Sequence, residues 1–435
     1  MNKFRFSILI FLLAAILCIP SFAAEDFEVK ARAAILVDVN SGELLFEQNA
    51  DSRQYPASLT KLMTALVVTE HCNWDEEVTV PKAAFSNLIA AGSSVNLKEG
   101  EVLTVEQLLY CLLVSSGNDA ANALAIHAAG DLETFYVWMN RKAETLGCTG
   151  THFANAHGLH NEDHYTTARD LYLIAREFVA NSDLMNVANT VSYVVPATNK
   201  TSNPRILNST NYLISGISTI RYIYSPARGI KTGTTTPAGY CLISSAEKNG
   251  LYLVSVVLGA AKDETSGDVM SFVETKRMFE WGFQHFSYQQ IVGSGEPITE
   301  IPVEMSQEAS SVVAVTQSEI SHLMSEEFDK EKVVITPWLY DESLVAPVTK
   351  GQILGEADVS YNGRSYGRIK LVALSGVERS DFLYSVDQAK VYLKTPTFWW
   401  IAGGAVGLII CYLVIAMILN RKRRLRKIKK HGRYL

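Results

Sequence analysis

Three short motifs in this chain could together carry out acyl transfer. They lie, in this order, at residues 58–61 (Ser-Leu-Thr-Lys), 116–118 (Ser-Gly-Asn) and 231–233 (Lys-Thr-Gly). They offer a hydroxyl nucleophile, a base and a strand that binds a carboxylate. A second Ser-x-x-Lys at Ser245–Lys248 shows that one such motif alone is weak evidence. The order of the motifs and the elements that hold them therefore decide the interpretation.

The first motif lies where a helical pattern of apolar residues begins. Ser58 then lies at or near a helix N-terminus, where its backbone N–H is free to bind an oxyanion. Lys61 projects from the same face one turn later and would be the general base. It can act as a base only if burial and a second cation, Lys231, lower its pKa. The alternative is a surface lysine on an ordinary helix.

The second motif precedes another good helical segment, so a loop with a helix cap is its simplest interpretation. In an acyl-transfer site, Ser116 would relay a proton to the leaving amine. The side-chain amide of Asn118 would hold a carbonyl of the substrate.

The third motif lies in a predicted edge strand. Gly233 has no side chain, so an extended substrate could lie against this strand. Lys231 with the hydroxyls of Thr232 and Thr234 would bind a terminal carboxylate. The backbone N–H of Thr234 would be the second oxyanion donor.

The elements around these motifs predict an α+β fold. One hairpin is predicted at Ala34–Val39 and Glu43–Phe46, and another at Tyr240–Ser245 and Leu251–Leu258. Helical patterns lie between and after them, including 132–146 and 271–286. We expect an antiparallel sheet, whose first and last strands pair, with flanking helices and a helical subdomain.

The chain after about residue 286 has a different pattern of residue types. Short β-branched runs are separated by Gly, Pro and charged residues, and they lie at Ser311–Thr316, Lys332–Thr336, Ala357–Tyr361 and Arg368–Ala373. This pattern predicts a small all-β domain, a sandwich, at residues 287–395. It holds no cluster of catalytic residue types, which favours a spacer.

The two ends predict export and a membrane anchor. Residues 1–23 have the basic start, apolar run and small-residue cleavage site of a signal peptide. The uncharged segment 398–419 is long enough for a single transmembrane helix. The tail at 420–435 carries nine basic and no acidic residues, which places it in the cytoplasm and the catalytic domain on the extracytoplasmic side of the cell membrane.

Charge argues against a nucleic-acid partner. The formal net charge of −6 becomes −17 once the two charges of the signal and the nine of the tail are removed. Four cysteines lie in the exported part, and either disulfides or buried thiols fit their apolar surroundings. They are Cys72, Cys111, Cys148 and Cys241.

The motifs as a set resemble the D-alanyl-D-alanine carboxypeptidases, low-molecular-mass penicillin-binding proteins related to serine β-lactamases. The central Ser-Gly-Asn is typical of this family, whereas class A β-lactamases have Ser-Asp-Asn. The resemblance covers about residues 29–395, and its further stretches are Tyr55–Ser58, His157–Leu159, His164–Asp170 and Gly229–Tyr240. Thr234 is a departure, since some members have His there.

The resemblance implies a β-lactamase/transpeptidase-like catalytic domain at residues 24–286. It also implies a serine enzyme that removes the terminal D-alanine from peptidoglycan stem pentapeptides through an acyl-enzyme, in cell-wall maturation. No cofactor is expected, and β-lactam antibiotics would be inhibitors. The matching strand adds Thr235 to the expected substrate-binding residues.

Several alternatives stay open at this stage. A D,D-endopeptidase, a β-lactamase or a catalytically silent wall-binding protein could share the fold, although no Glu-x-x-Leu-Asn follows Asn118. Four histidines at 152–164 suggest a metal, but they lack the helical His-x-x-x-His spacing, so no metal site is predicted. We expect this segment to be a loop near the site, with Asp170 as a supporting carboxylate.

Overall fold

A computed structural model describes residues 27–90 and 92–431 of the chain. The predicted signal peptide at 1–23 lies outside the described residues. Two compact units divide the chain. The first reaches Gln289 and includes Leu323–Phe328, and the second comprises Gln290–His322 and continues from Asp329.

The first unit is built on a five-stranded antiparallel sheet in the order β2-β1-β9-β8-β7. Its strands are β1 (Ala33–Asp38), β2 (Leu44–Gln48), β7 (Ala227–Thr235), β8 (Gly239–Lys248) and β9 (Leu251–Ala260). Both predicted hairpins are present. The first and last strands pair, with Ile35 opposite Val256. The α+β prediction is therefore confirmed.

Helices cover both faces of this sheet. They are α1 (Lys61–His71), α2 (Val105–Leu113), α3 (Asn118–Ala129), α4 (Leu132–Thr145), α5 (Ala168–Val179), α6 (Ser182–Ala188) and α7 (Met270–His285). Side chains alternate along β1. Ile35 and Val37 join the cluster formed with the helices α1–α6, whereas Ala34 and Leu36 pack with Phe279 of α7. All of β1 is consequently buried.

Two short hairpins complete the helical side of the first unit. They pair β3 (Glu77–Thr79) with β4 (Val102–Thr104), and β5 (Ser192–Val195) with β6 (Arg205–Asn208). The four cysteines among the described residues of this unit are free, buried thiols: Cys72, Cys111, Cys148 and Cys241. This answers the question that the sequence left open about disulfides.

The second unit is mostly β-structure. Its six-stranded sheet has the order β14-β16-β17-β12-β11-β15, with β15 parallel to β11. The strands are β11 (Pro297–Glu304), β12 (Ser311–Thr316), β14 (Val333–Leu339), β15 (Leu344–Val345), β16 (Ile353–Tyr361) and β17 (Arg364–Ala373). Three of the four predicted β-branched runs lie wholly in these strands, and the fourth, Lys332–Thr336, does so from Val333 onward because Lys332 ends a 3-10 turn. A two-stranded sheet pairs β10 (Phe286–Val292) with β13 (Ile320–Ser325).

Two helices follow the sheet of the second unit. The range expected to be all β, up to residue 395, contains α8 (Asp381–Leu393). Its first turn is capped by the side chain of Ser380, and none of its residues is buried, so no apolar periodicity marked it. Next comes α9 (Pro396–His431), which contains the predicted span 398–419. Its apolar part has a mean hydropathy of 2.5 and is long enough to cross a membrane.

Candidate active site

Ser58 lies on a tight 3-10 turn, Ala57–Thr60, directly before α1. Two glycines let other backbones press against this turn. A Cβ added to Gly158 would lie 1.9 Å from the carbonyl oxygen of Ala57, and one added to Gly233 would lie 3.0 Å from the backbone nitrogen of Ser58. Strand β7 and the loop around Gly158 therefore enclose the turn. The Ser58 side chain stays partly accessible, while Ala57 is buried.

Lys61, the first residue of α1, is 0% exposed. Its Nζ lies 3.0 Å from Ser58 Oγ, 2.7 Å from Asn118 Oδ1 and 2.6 Å from the carbonyl oxygen of His157. The last two oxygens can only accept hydrogen bonds. A neutral amine satisfies all three partners, because its two N–H groups point to those oxygens and its lone pair receives the Ser58 hydroxyl.

The surroundings of Lys61 favour that neutral form. Burial lowers its pKa well below the ordinary value, and the charge of Lys231 lowers it further, while Asp119 acts in the opposite direction. Lys231 is also buried, and burial lowers its pKa to about 7. Its Nζ donates to the backbone carbonyl of Thr232 at 2.9 Å. The site thus contains two buried amines whose proton affinity is reduced.

The second motif, Ser116-Gly117-Asn118, lies at a bend of the chain where α3 begins. Ser116 is 3% exposed and has a left-handed backbone, with φ of +61°. Asn118 begins α3, and its Oδ1 is occupied by Lys61. Its Nδ2 lies where a Cβ on Gly92 would approach to 2.8 Å. In the described residues, the hydrogen bonds of the two lysines do not include the Ser116 hydroxyl.

Asp119 was not singled out from the sequence, yet it organises the wall beside the second motif. Its carboxylate accepts hydrogen bonds from Ser94 Oγ at 2.7 Å and from the backbone N–H groups of Val95 and Leu97 at 3.1 and 3.0 Å. The segment from Ser94 to Leu97 is thereby attached to the first turn of α3. An acidic residue in the first turn of a helix was the available signal.

The histidine-rich segment is a scaffold for the Ser58 turn. The Nδ1 of His164 accepts from the backbone N–H of Ala154, so its Nε2 carries the proton and donates to Thr60 Oγ1 at 2.7 Å. Thr60 in turn donates to the carbonyl of Ala57. Burial lowers the pKa of both His164 and His157 to about 3, which keeps them uncharged.

The other two histidines of this segment lie at its exposed side. His152 contacts the carbonyl of Asp163, and His160 contacts Glu162. The only sequence signal for the scaffold was the glycine at 158, a position where the φ of +89° and the close approach of the Ala57 carbonyl both favour a residue without a side chain.

The remaining predicted residues take separate places. Thr232 Oγ1 lies 2.6 Å from Thr210 Oγ1, and the Thr234 side chain is exposed on β7. The hydroxyl of Thr235 accepts from the N–H of Ala238 at the following turn. Asp170 accepts from the N–H of Gly150 and from Thr151 Oγ1, so it holds the start of the histidine-rich loop and does not contact Ser58 or Lys61.

The second Ser-x-x-Lys has no comparable environment. Ser245 lies within β8 and donates to the carbonyl of Arg228 at 2.7 Å. Lys248, at the end of the same strand, extends over the ring of Phe283 at 5.9 Å. The two Ser-x-x-Lys motifs therefore have clearly different surroundings in the structure.

Comparisons with known proteins agree with this architecture. Residues 20–262 match the model of the D-alanyl-D-alanine carboxypeptidase family of peptidases. Residues 286–379 match the model of the C-terminal domain of penicillin-binding protein 5.

Individual relatives extend over most of the chain. It is 32% identical to D-alanyl-D-alanine carboxypeptidase DacC of Escherichia coli K12 over 375 residues, which is 83% of this chain and 89% of that protein. The solved structure of penicillin-binding protein 5 from Haemophilus influenzae is similar at 28% identity, with a TM-score of 0.58, over 81% of this chain and 98% of that one. Penicillin-binding protein 6B of Escherichia coli is similar at 26% identity and a TM-score of 0.61, with the same coverage.

Gly158→Ala tests whether close backbone contact shapes the Ser58 turn. The left-handed backbone alone should cost about 1–2 kcal/mol, and displacement of the Ala57 carbonyl should add to that loss. The matched control is Gly250→Ala, since Gly250 has a similar φ of +81° with nothing within 4 Å of the added Cβ. Denaturant unfolding should show a larger loss at Gly158. Equal losses of unfolding free energy in the two variants would show that the contact between Gly158 and Ala57 contributes nothing to stability.

Proposed function

Because the chain belongs to the D-alanyl-D-alanine carboxypeptidase family, we propose that its three motifs carry out this reaction with the roles given below. The chain is a serine-type D-alanyl-D-alanine carboxypeptidase that acts in cell-wall maturation. The observation that carries the assignment of the site is the buried Lys61 amine at 3.0 Å from Ser58 Oγ.

Acylation begins with proton transfer from Ser58 to neutral Lys61. Oγ then attacks the carbonyl of the penultimate D-alanine, and the negative charge moves to the carbonyl oxygen. The backbone N–H groups of Ser58 and Thr234 stabilise this oxyanion. The close approach of Gly233 to the nitrogen of Ser58 supports this pairing, because it brings β7 against the turn.

Departure of D-alanine requires a proton on its nitrogen. Lys61 now holds the proton taken from Ser58, and Ser116 relays it to the leaving amine. Ser116 is buried beside the motif residue Asn118. Asn118 uses Oδ1 to orient Lys61 and Nδ2 to bind a carbonyl of the stem peptide. Water then attacks the acyl-enzyme, with the same groups acting in reverse.

The terminal carboxylate binds along β7. Lys231 provides the charge, the hydroxyls of Thr232 and Thr234 provide hydrogen bonds, and Gly233 lets this strand lie against the Ser58 turn. Thr235 supports this end of the strand through its turn with Ala238. An arriving carboxylate favours the protonated form of Lys231, whose pKa is otherwise reduced to about 7 by burial. β-Lactam antibiotics present a carboxylate and a strained amide to the same groups.

The anchor orients this site toward peptidoglycan stem peptides. Trp399 and Trp400 are exposed at the start of the apolar part of α9, as expected of residues at a membrane interface. The basic tail at 420–435 lies in the cytoplasm, and the signal at 1–23 exports the catalytic domain at 24–286. The β domain at 287–395 then serves as a spacer that precedes the single span at 398–419. Asp170 and its loop belong to the exported catalytic domain.

Removal of the nucleophile tests the assignment of Ser58. Ser58→Ala should abolish covalent labelling by a fluorescent penicillin and release of D-alanine from a stem pentapeptide. The matched control is Ser245→Ala, which removes the serine of the other Ser-x-x-Lys and should retain both signals. Equal labelling of the Ser58 variant and the wild type would contradict the assignment. Rapid turnover of the penicillin adduct by the wild type would instead indicate a β-lactamase, and no D-alanine release would indicate a silent binding protein.

The pH profile tests the coupling between the two buried lysines. Loss of neutral Lys61 should slow acylation as the pH falls through its lowered pKa. In Lys231→Met, the neighbouring positive charge is gone, so the pKa of Lys61 rises and the acidic limb should move to higher pH. The measurement is the second-order rate of penicillin labelling against pH, with Lys248→Met as the control. An acidic limb that stays in place or moves to lower pH would contradict the coupling.

A further inference from the structure

Three metal-ligand side chains meet at the ends of α1 and α3, on residues that the peptidase reaction does not use. Cys72 directly follows α1, Glu76 lies just before β3, and His127 is in the last turn of α3. One ligand atom from each lies within 4.8 Å of the other two. His127 Nε2 is 3.0 Å from Glu76 Oε2. Cys72 is 9% exposed, whereas the side chains of His127 and Glu76 are 25% and 36% exposed, so an ion from solvent can reach the cluster past His127 and Glu76.

The Glu76 carboxylate is already oriented for binding. Its Oε1 accepts two hydrogen bonds of 2.8 Å from Asn73, one from the backbone N–H and one from Nδ2. These bonds hold Oε1 away from the cluster and direct Oε2 toward His127. Such outer hydrogen bonds commonly fix the carboxylate ligands of metal sites.

The local field also favours a cation. The helices α1 and α3 both end at the cluster, and the C-terminus of a helix carries partial negative charge. Burial and the charge of Glu76 raise the pKa of the Cys72 thiol to about 11, so this thiol keeps its proton until a metal ion displaces it. A divalent ion placed here would therefore meet the Glu76 carboxylate, the His127 ring and two negative helix ends.

We propose that Cys72, Glu76 and His127 bind one zinc-class divalent ion, with water completing a tetrahedral site. A thiolate, an imidazole and a carboxylate are the ligand types of zinc, and three protein ligands with one open position are common. On binding, the Cys72 thiol releases its proton to solvent and a metal–sulfur bond forms. The proton between His127 Nε2 and Glu76 moves through solvent to Nδ1 of the same ring, so that the imidazole stays neutral while its Nε2 and the Glu76 carboxylate bind the ion. No oxidation or reduction takes place.

The ion joins the far ends of the two helices that begin in the active site. Helix α1 starts at Lys61 and α3 starts at Asn118, and a hydrogen bond connects those residues. With 11 residues in α1, its far end is about 16 Å away along the axis. An ion there does not reach the reacting groups. Its expected effect is therefore on the stability of the helix pair rather than on the chemical step.

The test uses the full chain in detergent after treatment with a chelator, with Zn²⁺ and Co²⁺ as probes. Calorimetry should show one Zn²⁺ per chain, and Zn²⁺ at about a hundredfold excess over Kd should raise Tm by about 5 °C or more. Co²⁺ should give a thiolate-to-metal absorption band. Cys72→Ser should lose the band, and Cys72→Ser and His127→Gln should both lose the rise in Tm.

Two variants serve as matched controls. Cys148→Ser removes a different buried thiol, and His285→Gln removes a histidine paired with Glu326 at 2.6 Å that has no cysteine partner among the described residues. Both should keep the band, the stoichiometry and the rise in Tm. The proposal is overturned if Zn²⁺ leaves the wild-type Tm unchanged, or if the Cys72 and His127 variants respond as the wild type does. Labelling by penicillin is scored separately, so a failure of the zinc site is distinct from a failure of the peptidase assignment.

Discussion

The burial of one lysine amine beside a serine hydroxyl is the constraint on which the site depends. An ammonium ion enclosed by protein loses its hydration, so Lys61 keeps its proton only weakly. Two oxygens that can only accept, from Asn118 and His157, fix the amine and direct its lone pair at Ser58. In the proposed mechanism, the nucleophile Ser58 and the base Lys61 are therefore aligned before a substrate arrives, which removes the entropic cost of ordering them during the reaction.

The fold supplies this arrangement by bringing distant backbones together. Strand β1 pairs with β9, β9 pairs with β8, and β8 pairs with β7, so the beginning of the unit lies in the same sheet as β7. Gly233 then lets β7 lie against the Ser58 turn. Gly158 lets its own loop, about 100 residues later in the sequence, pack against the same turn. Asp119 fixes the wall next to Asn118. The active site is thus assembled from contacts that are remote in sequence.

The difference between local patterns and tertiary contacts explains which features the sequence could predict. The motifs, the hairpins and the α+β class follow from local patterns of residue type and spacing, and the β runs after residue 286 do as well. The carbonyl of His157, the bond from His164 to Thr60 and the role of Asp119 depend on tertiary contacts, which no local pattern encodes. Helix α8 was missed because it buries no residue, and the two Ser-x-x-Lys motifs differ only in their surroundings.

The central claim is that Lys61 is a neutral amine next to Ser58. Nitrogen-15 NMR of lysine-labelled protein, with the Lys61 signal identified by its loss in Lys61→Met, measures this directly across a pH titration. We expect an Nζ signal of a neutral amine that changes to that of an ammonium ion only when the pH is lowered well below the ordinary lysine value. A Lys61 signal that remains that of an ammonium ion until the pH approaches the ordinary lysine value of about 10.4 would contradict it.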